Sequence, residues 1–299
     1  MTPMRLTGLS AFPITPADAG GRVDGPALRR LVARSCKAGV DSIGLLGSTG
    51  SYPYLTREER RRALDATLDE AGGRVPVMVG IGALRTDEAV RLAQDARAAG
   101  AAVGLLAAVS YTPLTDEEVY EHVAAVARHS DLPLCLYDNP TTTHFRFGPE
   151  LIGRLSRLPG IVAVKSPGQE PQAVAGHLAT LRATVPPGFS LGYSGDWTTT
   201  EALIAGADAW YSVVAGLFPQ VAVEIVRAVQ RGEVAEARRL DGRLGLLWAL
   251  FRHYSSLRVI YACADLLDLC HAAPPRPILP LGEEARGRIA EVIRGLDLR

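Results

Sequence analysis

Of the 32 basic residues in this chain, two are lysines, Lys37 and Lys165, and the rest are arginines. Arginine keeps its charge, whereas a lysine amine gives up its proton when it is desolvated. Lys165 closes the apolar run Ile161-Val162-Ala163-Val164, which has the pattern of a buried strand, so its amine is placed where desolvation happens. A neutral amine attacks a carbonyl and forms a Schiff base. A strand-end lysine also serves simply to carry its charge out to water. Lys37 precedes Gly39 near the end of a helical segment, where a cation complements the helix dipole, and has no chemical role in this reading.

Two phenols belong with that amine. Tyr137, in Tyr137-Asp138-Asn139-Pro140, ends the apolar run one strand–helix repeat before Lys165. A phenol beside an amine relays protons while an imine forms and breaks. Tyr111, in Ser110-Tyr111-Thr112, follows the run before that one. Asn139 is the single asparagine of the chain. A third piece is Gly47-Ser48-Thr49-Gly50-Ser51, where two glycines frame two hydroxyls. The N–H groups of such a loop converge on a carboxylate or phosphate, although most strings of this kind are ordinary turns. No Gly-Lys-Ser/Thr follows it, so it is not a nucleotide P-loop. The six histidines show neither His-x-His nor His-Glu-x-x-His spacing, and Cys36, Cys135, Cys263 and Cys270 form no Cys-x-x-Cys pair. His122 and His129, seven apart on one helical face, read as surface residues. The expectation is a mechanism with no metal and no cofactor.

These residues need a scaffold that brings strand ends together. Apolar runs at 6–12, 42–46, 75–81, 103–109, 133–137, 161–165, 189–193 and 209–213 alternate with amphipathic segments at 25–38, 56–71, 87–99, 116–129, 149–158, 171–181 and 197–205. Thr56-Arg57-Glu58-Glu59 and Thr115-Asp116-Glu117-Glu118 read as capping boxes, and Gly39, Gly100 and Gly206 as left-handed C-caps. Eight strands alternating with helices predict an α/β fold, a parallel (β/α)8 TIM barrel. An open doubly wound sheet is the alternative, but no Gly-x-Gly-x-x-Gly follows the first strand. Helices at 220–231, 234–254, 257–268 and 283–295 follow, the last two separated by the Pro-rich stretch 274–280. The expected organisation is a catalytic barrel over 1–231 and a C-terminal helical extension over 232–299. Active sites of such barrels lie at the C-terminal strand ends, where Lys165, Tyr137, Tyr111 and the Gly47–Ser51 loop fall.

The formal net charge is zero, which gives no footprint for nucleic acid or an anionic membrane. No apolar stretch reaches transmembrane length, and the N-terminus lacks the basic and apolar regions of a signal peptide. With scattered, unpaired cysteines, the expected location is the cytoplasm.

Gly-Ser-Thr-Gly after the second strand, Tyr-x-x-Pro after the fifth and Lys at the end of the sixth together resemble the dihydrodipicolinate synthase and N-acetylneuraminate lyase superfamily of class I Schiff-base aldolases. The resemblance covers nearly the whole chain. It implies a metal-independent lyase acting on pyruvate or another 2-oxo acid, and a homotetramer built as a dimer of dimers. Lys165 falls at the Schiff-base lysine and Tyr137 at the proton-shuttling tyrosine. Ser48 and Thr49 fall in the loop that holds the 2-oxo acid carboxylate, and Thr49 at the hydroxyl linking two tyrosines. Tyr111 matches the tyrosine that completes the relay of a neighbouring subunit. Gly195 and Tyr211 fall at substrate-pocket positions.

Three positions depart from the synthases of that superfamily. Thr142 stands where they carry an Arg for the second substrate's carboxylate. Ser51 and Ser166 stand where acidic residues are usual. The pocket then presents Asn139, Thr142, His144, Ser166, Asp138 and Trp197, which suits a hydroxylated, sugar-acid-type substrate better than a second carboxylate. Aldol cleavage or condensation and dehydration are equally open. The alternative is 4-hydroxy-tetrahydrodipicolinate (dihydrodipicolinate) synthase, and an alternative of another class is a non-catalytic barrel that binds 2-oxo acids.

Overall fold

The computed structural model describes residues 5–298. Eight strands run in the order β1 (Gly8–Ala11), β2 (Ser42–Leu45), β3 (Val77–Gly80), β4 (Val103–Ala107), β5 (Leu134–Tyr137), β6 (Ile161–Ser166), β7 (Ser190–Tyr193) and β8 (Ala209–Ser212). They form a closed barrel in sequence order, and the registered neighbours are parallel. The helices are α1 (Gly25–Ala38), α2 (Arg57–Ala71), α3 (Thr86–Ala99), α4 (Asp116–Ser130), α5 (Pro140–Thr143), α6 (Pro149–Leu155), α7 (Pro171–Thr184), α8 (Asp196–Ile204), α9 (Pro219–Gln230), α10 (Val234–Arg243), α11 (Gly245–Tyr254), α12 (Ser256–Leu266) and α13 (Glu283–Gly295). This is the (β/α)8 barrel with C-terminal helices that the alternation predicts. Among the described residues no helix is long and apolar enough to cross a membrane.

The chain divides into two compact units. One is Pro76–Tyr211 with the chain up to Gly8; the other is Leu9–Val75 with the chain from Ser212 onward. The expected ranges 1–231 and 232–299 include residues 1–4 and 299, which lie outside the described residues.

In the first unit, strands β3–β7 are buried along nearly their whole length, so their mostly apolar content follows from being covered on both faces. Thr115 caps α4 with a full capping box: its hydroxyl accepts from the Glu118 N–H, and the Glu118 carboxylate accepts from the Thr115 N–H at 2.7 Å. His122, read as a surface residue, is half-buried. Its Nδ1 lies 3.0 Å from Thr86 Oγ1, and its buried Nε2 has no partner among the described residues. Burial pushes the imidazole pKa down.

In the second unit, β1 and β2 pair, and Phe12 packs where Gly44 and Gly47 leave room. A Cβ at Gly44 would meet the Phe12 ring at 2.2 Å and one at Gly47 at 2.7 Å. Only half of the capping box expected at Thr56 forms. The Thr56 hydroxyl accepts from the Glu59 N–H, but the Glu59 carboxylate accepts instead from the Val23 N–H at 2.8 Å, a tertiary contact that replaces the local one. The segment 234–254, read as one helix, is two. The backbone changes course at Leu244, which is buried between Gly242 and Gly245, and the Trp248 indole N–H bridges the break to Asp241. Glycine on both sides of a buried anchor favours a break over a continuous helix.

Candidate active site

Within the first unit, β5, β6 and β7 hold Tyr137, Lys165 and Gly192 side by side: Tyr137 pairs with Lys165 and Lys165 with Gly192 in the parallel register. Lys165 is 3% exposed. Its Nζ lies 4.2 Å from the centroid of the Tyr137 ring and 6.0 Å from that of Tyr211. The floor under the amine is thus aromatic. Gly192 makes that floor possible, because a Cβ there would stand 2.4 Å from Tyr211 Cε2. Glycine inside a strand often marks such a close approach, and Leu191-Gly192-Tyr193 carried that signal in the sequence. Tyr211 is fully buried and its hydroxyl faces Cys135 Sγ at 3.8 Å. Burial holds the Tyr211 phenol well above its ordinary pKa and the Cys135 thiol up at about 12, so both stay neutral.

The Tyr137 hydroxyl accepts a hydrogen bond from Asn139 Nδ2 at 3.0 Å. Asn139 Oδ1 in turn accepts from the Thr141 hydroxyl at 2.8 Å. The Asn139 carbonyl accepts from the N–H groups of Thr142 and Thr143, each at 3.0 Å, and from both their hydroxyls. The hydroxyl proton of Thr142 is therefore directed at the backbone, although its oxygen is exposed and can still accept. His144 is exposed and ends α5 in the left-handed region at φ 56°. This four-residue helix, Pro140-Thr141-Thr142-Thr143, is a local element the sequence did not announce, since β-branched Thr is a weak helix former.

Asp138 and Ser166 each lie one residue beyond the Tyr137–Lys165 pair, so the strand alternation turns them to the other face. The Asp138 carboxylate accepts from the Phe147 N–H at 3.3 Å. Burial raises its pKa to about 6, against the opposing pull of the Phe147 N–H and the Arg146 charge. Ser166 is buried and registers with Tyr193, whose hydroxyl lies 2.7 Å from His177 Nδ1 on α7. Burial, helped by the Arg146 charge, pushes the His177 pKa down, and burial pushes Tyr193 up. Sequence reasoning missed this His177–Tyr193 pair, for nothing in the spacing of a helical His to a strand Tyr marks it.

Gly195 adopts φ 84° at the start of α8. A Cβ there would press on Gly168 at 3.2 Å, so the turns after β6 and β7 meet glycine to glycine. Trp197 is partly exposed on α8. Tyr111, after β4, is 96% exposed and touches neither Tyr137 nor Lys165 through any observed ring contact or hydrogen bond.

In the second unit, the loop after β2 opens with Leu46 at φ 55° and closes with Ser51 at φ 54°, both left-handed conformations that non-glycine residues rarely adopt. Gly50 fits against Leu46, where a Cβ would come within 2.9 Å of its Cα. Thr49 and Ser51 are buried and Ser48 half-buried, and the Ser51 N–H returns to the Ser48 carbonyl at 3.1 Å. Strain at two residues of one loop is typical of functional sites.

The model of the dihydrodipicolinate synthetase family matches residues 5–295. A 4-hydroxy-tetrahydrodipicolinate synthase of Thiobacillus denitrificans is 36% identical over 284 residues, which cover 94% of this chain and 92% of that protein. One of Methylococcus capsulatus is 39% identical over 234 residues, 78% of this chain and 79% of the relative. A dihydrodipicolinate synthase from Agrobacterium tumefaciens, known by its crystal structure, is 56% identical, covers 97% of this chain and 98% of its own, and superposes with a TM-score of 0.95.

Proposed function

This chain belongs to the dihydrodipicolinate synthetase family and is a lyase of that family; from that premise we propose that it condenses pyruvate with an aldehyde through a Schiff base on Lys165, as a 4-hydroxy-tetrahydrodipicolinate synthase. The observation that carries the reading is Lys165, a residue 3% exposed whose amine lies 4.2 Å from the Tyr137 ring centroid. The steps follow from those two groups. The neutral amine adds to the keto carbon, and one of its protons passes to the oxygen, giving a carbinolamine. Tyr137 gives its proton to the carbinolamine hydroxyl, which leaves as water; the C–N bond becomes a protonated imine and Tyr137 becomes a phenolate. The phenolate then takes a proton from the adjacent methyl carbon. The resulting enamine is the nucleophile that meets the aldehyde.

Ser48 and Thr49 are proposed to hold the pyruvate carboxylate, with the strained loop around them as support. The sequence reading ranks a hydroxylated, sugar-acid-type substrate first, but the names of the relatives back the synthase better. Arg146 favours the same choice. It lies four residues beyond Thr142, just past the end of α5, and its charge reaches both Asp138 and His177. One observation keeps the sugar-acid reading as a second: Thr142 offers a neutral hydroxyl where a charged fork is expected. Cytoplasmic location and a homotetrameric assembly with Tyr111 at a subunit contact are part of the proposal.

Borohydride trapping with pyruvate, read by intact mass and peptide mapping, tests the Schiff base. Label on Lys165 is expected. Label on Lys37, or none in a protein that still turns over, would refute the mechanism. Turnover with pyruvate and aspartate semialdehyde, set beside a panel of 2-oxo-3-deoxy sugar acids, decides between the two substrate readings.

A further inference from the structure

Beyond the amine and its phenol, the loop after β5 holds a polar chain, Thr141–Asn139–Tyr137. Thr141 donates to Asn139 Oδ1 at 2.8 Å, and Asn139 Nδ2 donates to the Tyr137 oxygen at 3.0 Å. Each end of the amide meets a complementary group, so the network fixes which way the amide points. The backbone beneath it is held as well, because the Asn139 carbonyl collects N–H and O–H donors from Thr142 and Thr143. Asn139 stands at the N-cap of α5, yet its side chain makes no capping bond there. Its amide is committed to the phenol instead.

We propose that Asn139 is a positioning residue for the proton relay: by donating to the Tyr137 oxygen it stabilises the phenolate that remains when Tyr137 protonates the leaving hydroxyl. This rests on the Schiff-base reading given above. A donor aimed at an oxygen that gains charge during the step strengthens as the charge develops, so its contribution appears in turnover and not in substrate binding. It also turns the phenol so that its own O–H is left to serve another acceptor. Thr141 acts one step behind, by holding the amide in the donating orientation.

The variants separate this role from a structural one. Asn139→Asp keeps the size of the side chain and is an excellent helix cap, so a structural role predicts it to be harmless. The relay role predicts it to be the worst substitution, because a carboxylate replaces the donor and repels the phenolate. Asn139→Leu should lower kcat by about 10- to 100-fold, the worth of a hydrogen bond to a charged group, with the KM for pyruvate little changed. Asn139→Asp should lower it further. Asn139→His, whose Nδ1–H falls near the position of the amide Nδ2, should recover part of the loss. Thr141→Val should give a smaller loss of the same kind. Thermal unfolding of each variant, run alongside, reports whether the fold persists, and Asn139→His and Thr141→Val keep the test decisive if Asn139→Asp does not fold. The order Asn, His, Leu, Asp in kcat, at constant KM, is the result expected. Wild-type kcat in Asn139→Asp, or equal loss in the His and Leu variants, overturns the proposal while borohydride trapping of the wild-type protein leaves the Schiff-base reading standing. Absence of trapping in the wild-type protein brings down that reading and this one with it.

Discussion

Replacing Asp138 by Asn removes a carboxyl group that the fold holds at 5% exposure. Its pKa rises from the ordinary 3.8 to about 6, with burial as the dominant cause and the Phe147 N–H and the Arg146 charge opposing it. The folded value therefore lies above the unfolded one. Between them the folded protein keeps a proton that the unfolded chain has released, so the stability this group contributes is full below about pH 4 and is lost as the pH rises through about 6. Two pK units correspond to about 3 kcal/mol, and the cost of carrying the carboxylate is about 1 kcal/mol at pH 4.5 and about 3 kcal/mol from pH 8 upward. Asn has no such charge and keeps an oxygen for the Phe147 N–H. His177 titrates in both proteins and cancels from the difference. Asp138→Asn should thus be more stable than the parent at pH 8, by at most about 3 kcal/mol, with the advantage shrinking toward pH 4.5. Urea unfolding of both proteins at several pH values measures this directly. Parallel stability–pH curves would refute the assignment of a high pKa to Asp138. A variant less stable at every pH would mean that the carboxylate's bond to the Phe147 loop outweighs its desolvation.

Tyr137→Phe should keep the fold and lower turnover by about 10²- to 10⁴-fold, the usual contribution of a positioned acid–base group, and an unchanged kcat would assign Tyr137 to packing. Gly192→Ala should destabilise by about 1–3 kcal/mol, since the new Cβ must displace the Tyr211 ring from a fully packed site; wild-type stability in thermal unfolding would contradict the close approach. Ser48→Ala and Thr49→Val should raise the KM for pyruvate without changing the unfolding midpoint, and normal affinity in both removes the carboxylate role. Arg146→Ala should weaken use of an aldehyde that carries a carboxylate more than it weakens use of pyruvate, which steady-state kinetics in both substrates resolves.

The barrel was legible because its signals are local and repeated. Gly25–Ala38 and Glu283–Gly295 have the bounds read from the sequence, where an αL glycine or a charged first turn marks the ends. The reading failed where a distant group intervened. Glu59 carries the right spacing for a capping box but serves Val23, a partner 36 residues away that no local pattern contains. His122 looked like a surface residue by its period, yet Thr86 of the neighbouring helix covers one side of it.

The site divides along the same line. Tyr137 and Lys165 could be paired from sequence because both end apolar runs one strand–helix repeat apart, and the parallel register sets them side by side. Their immediate successors are a different matter. Grouping Asp138 and Ser166 with them treats a strand end as a point, whereas a strand has two faces and successive residues alternate between them. Asp138 meets Phe147, and the register partner of Ser166 is Tyr193, bonded to His177 on α7. Alternation is interrupted beyond the end of β5, at Asn139, whose φ −137° and ψ 69° let the amide reach back to Tyr137 two residues earlier. An i, i+2 contact of this kind needs the turn into α5, and the turn depends on the threonine donors that gather on the Asn139 carbonyl. The link between the threonines and the phenol is therefore a property of the folded loop, and its energetic weight is what the Asn139 series measures.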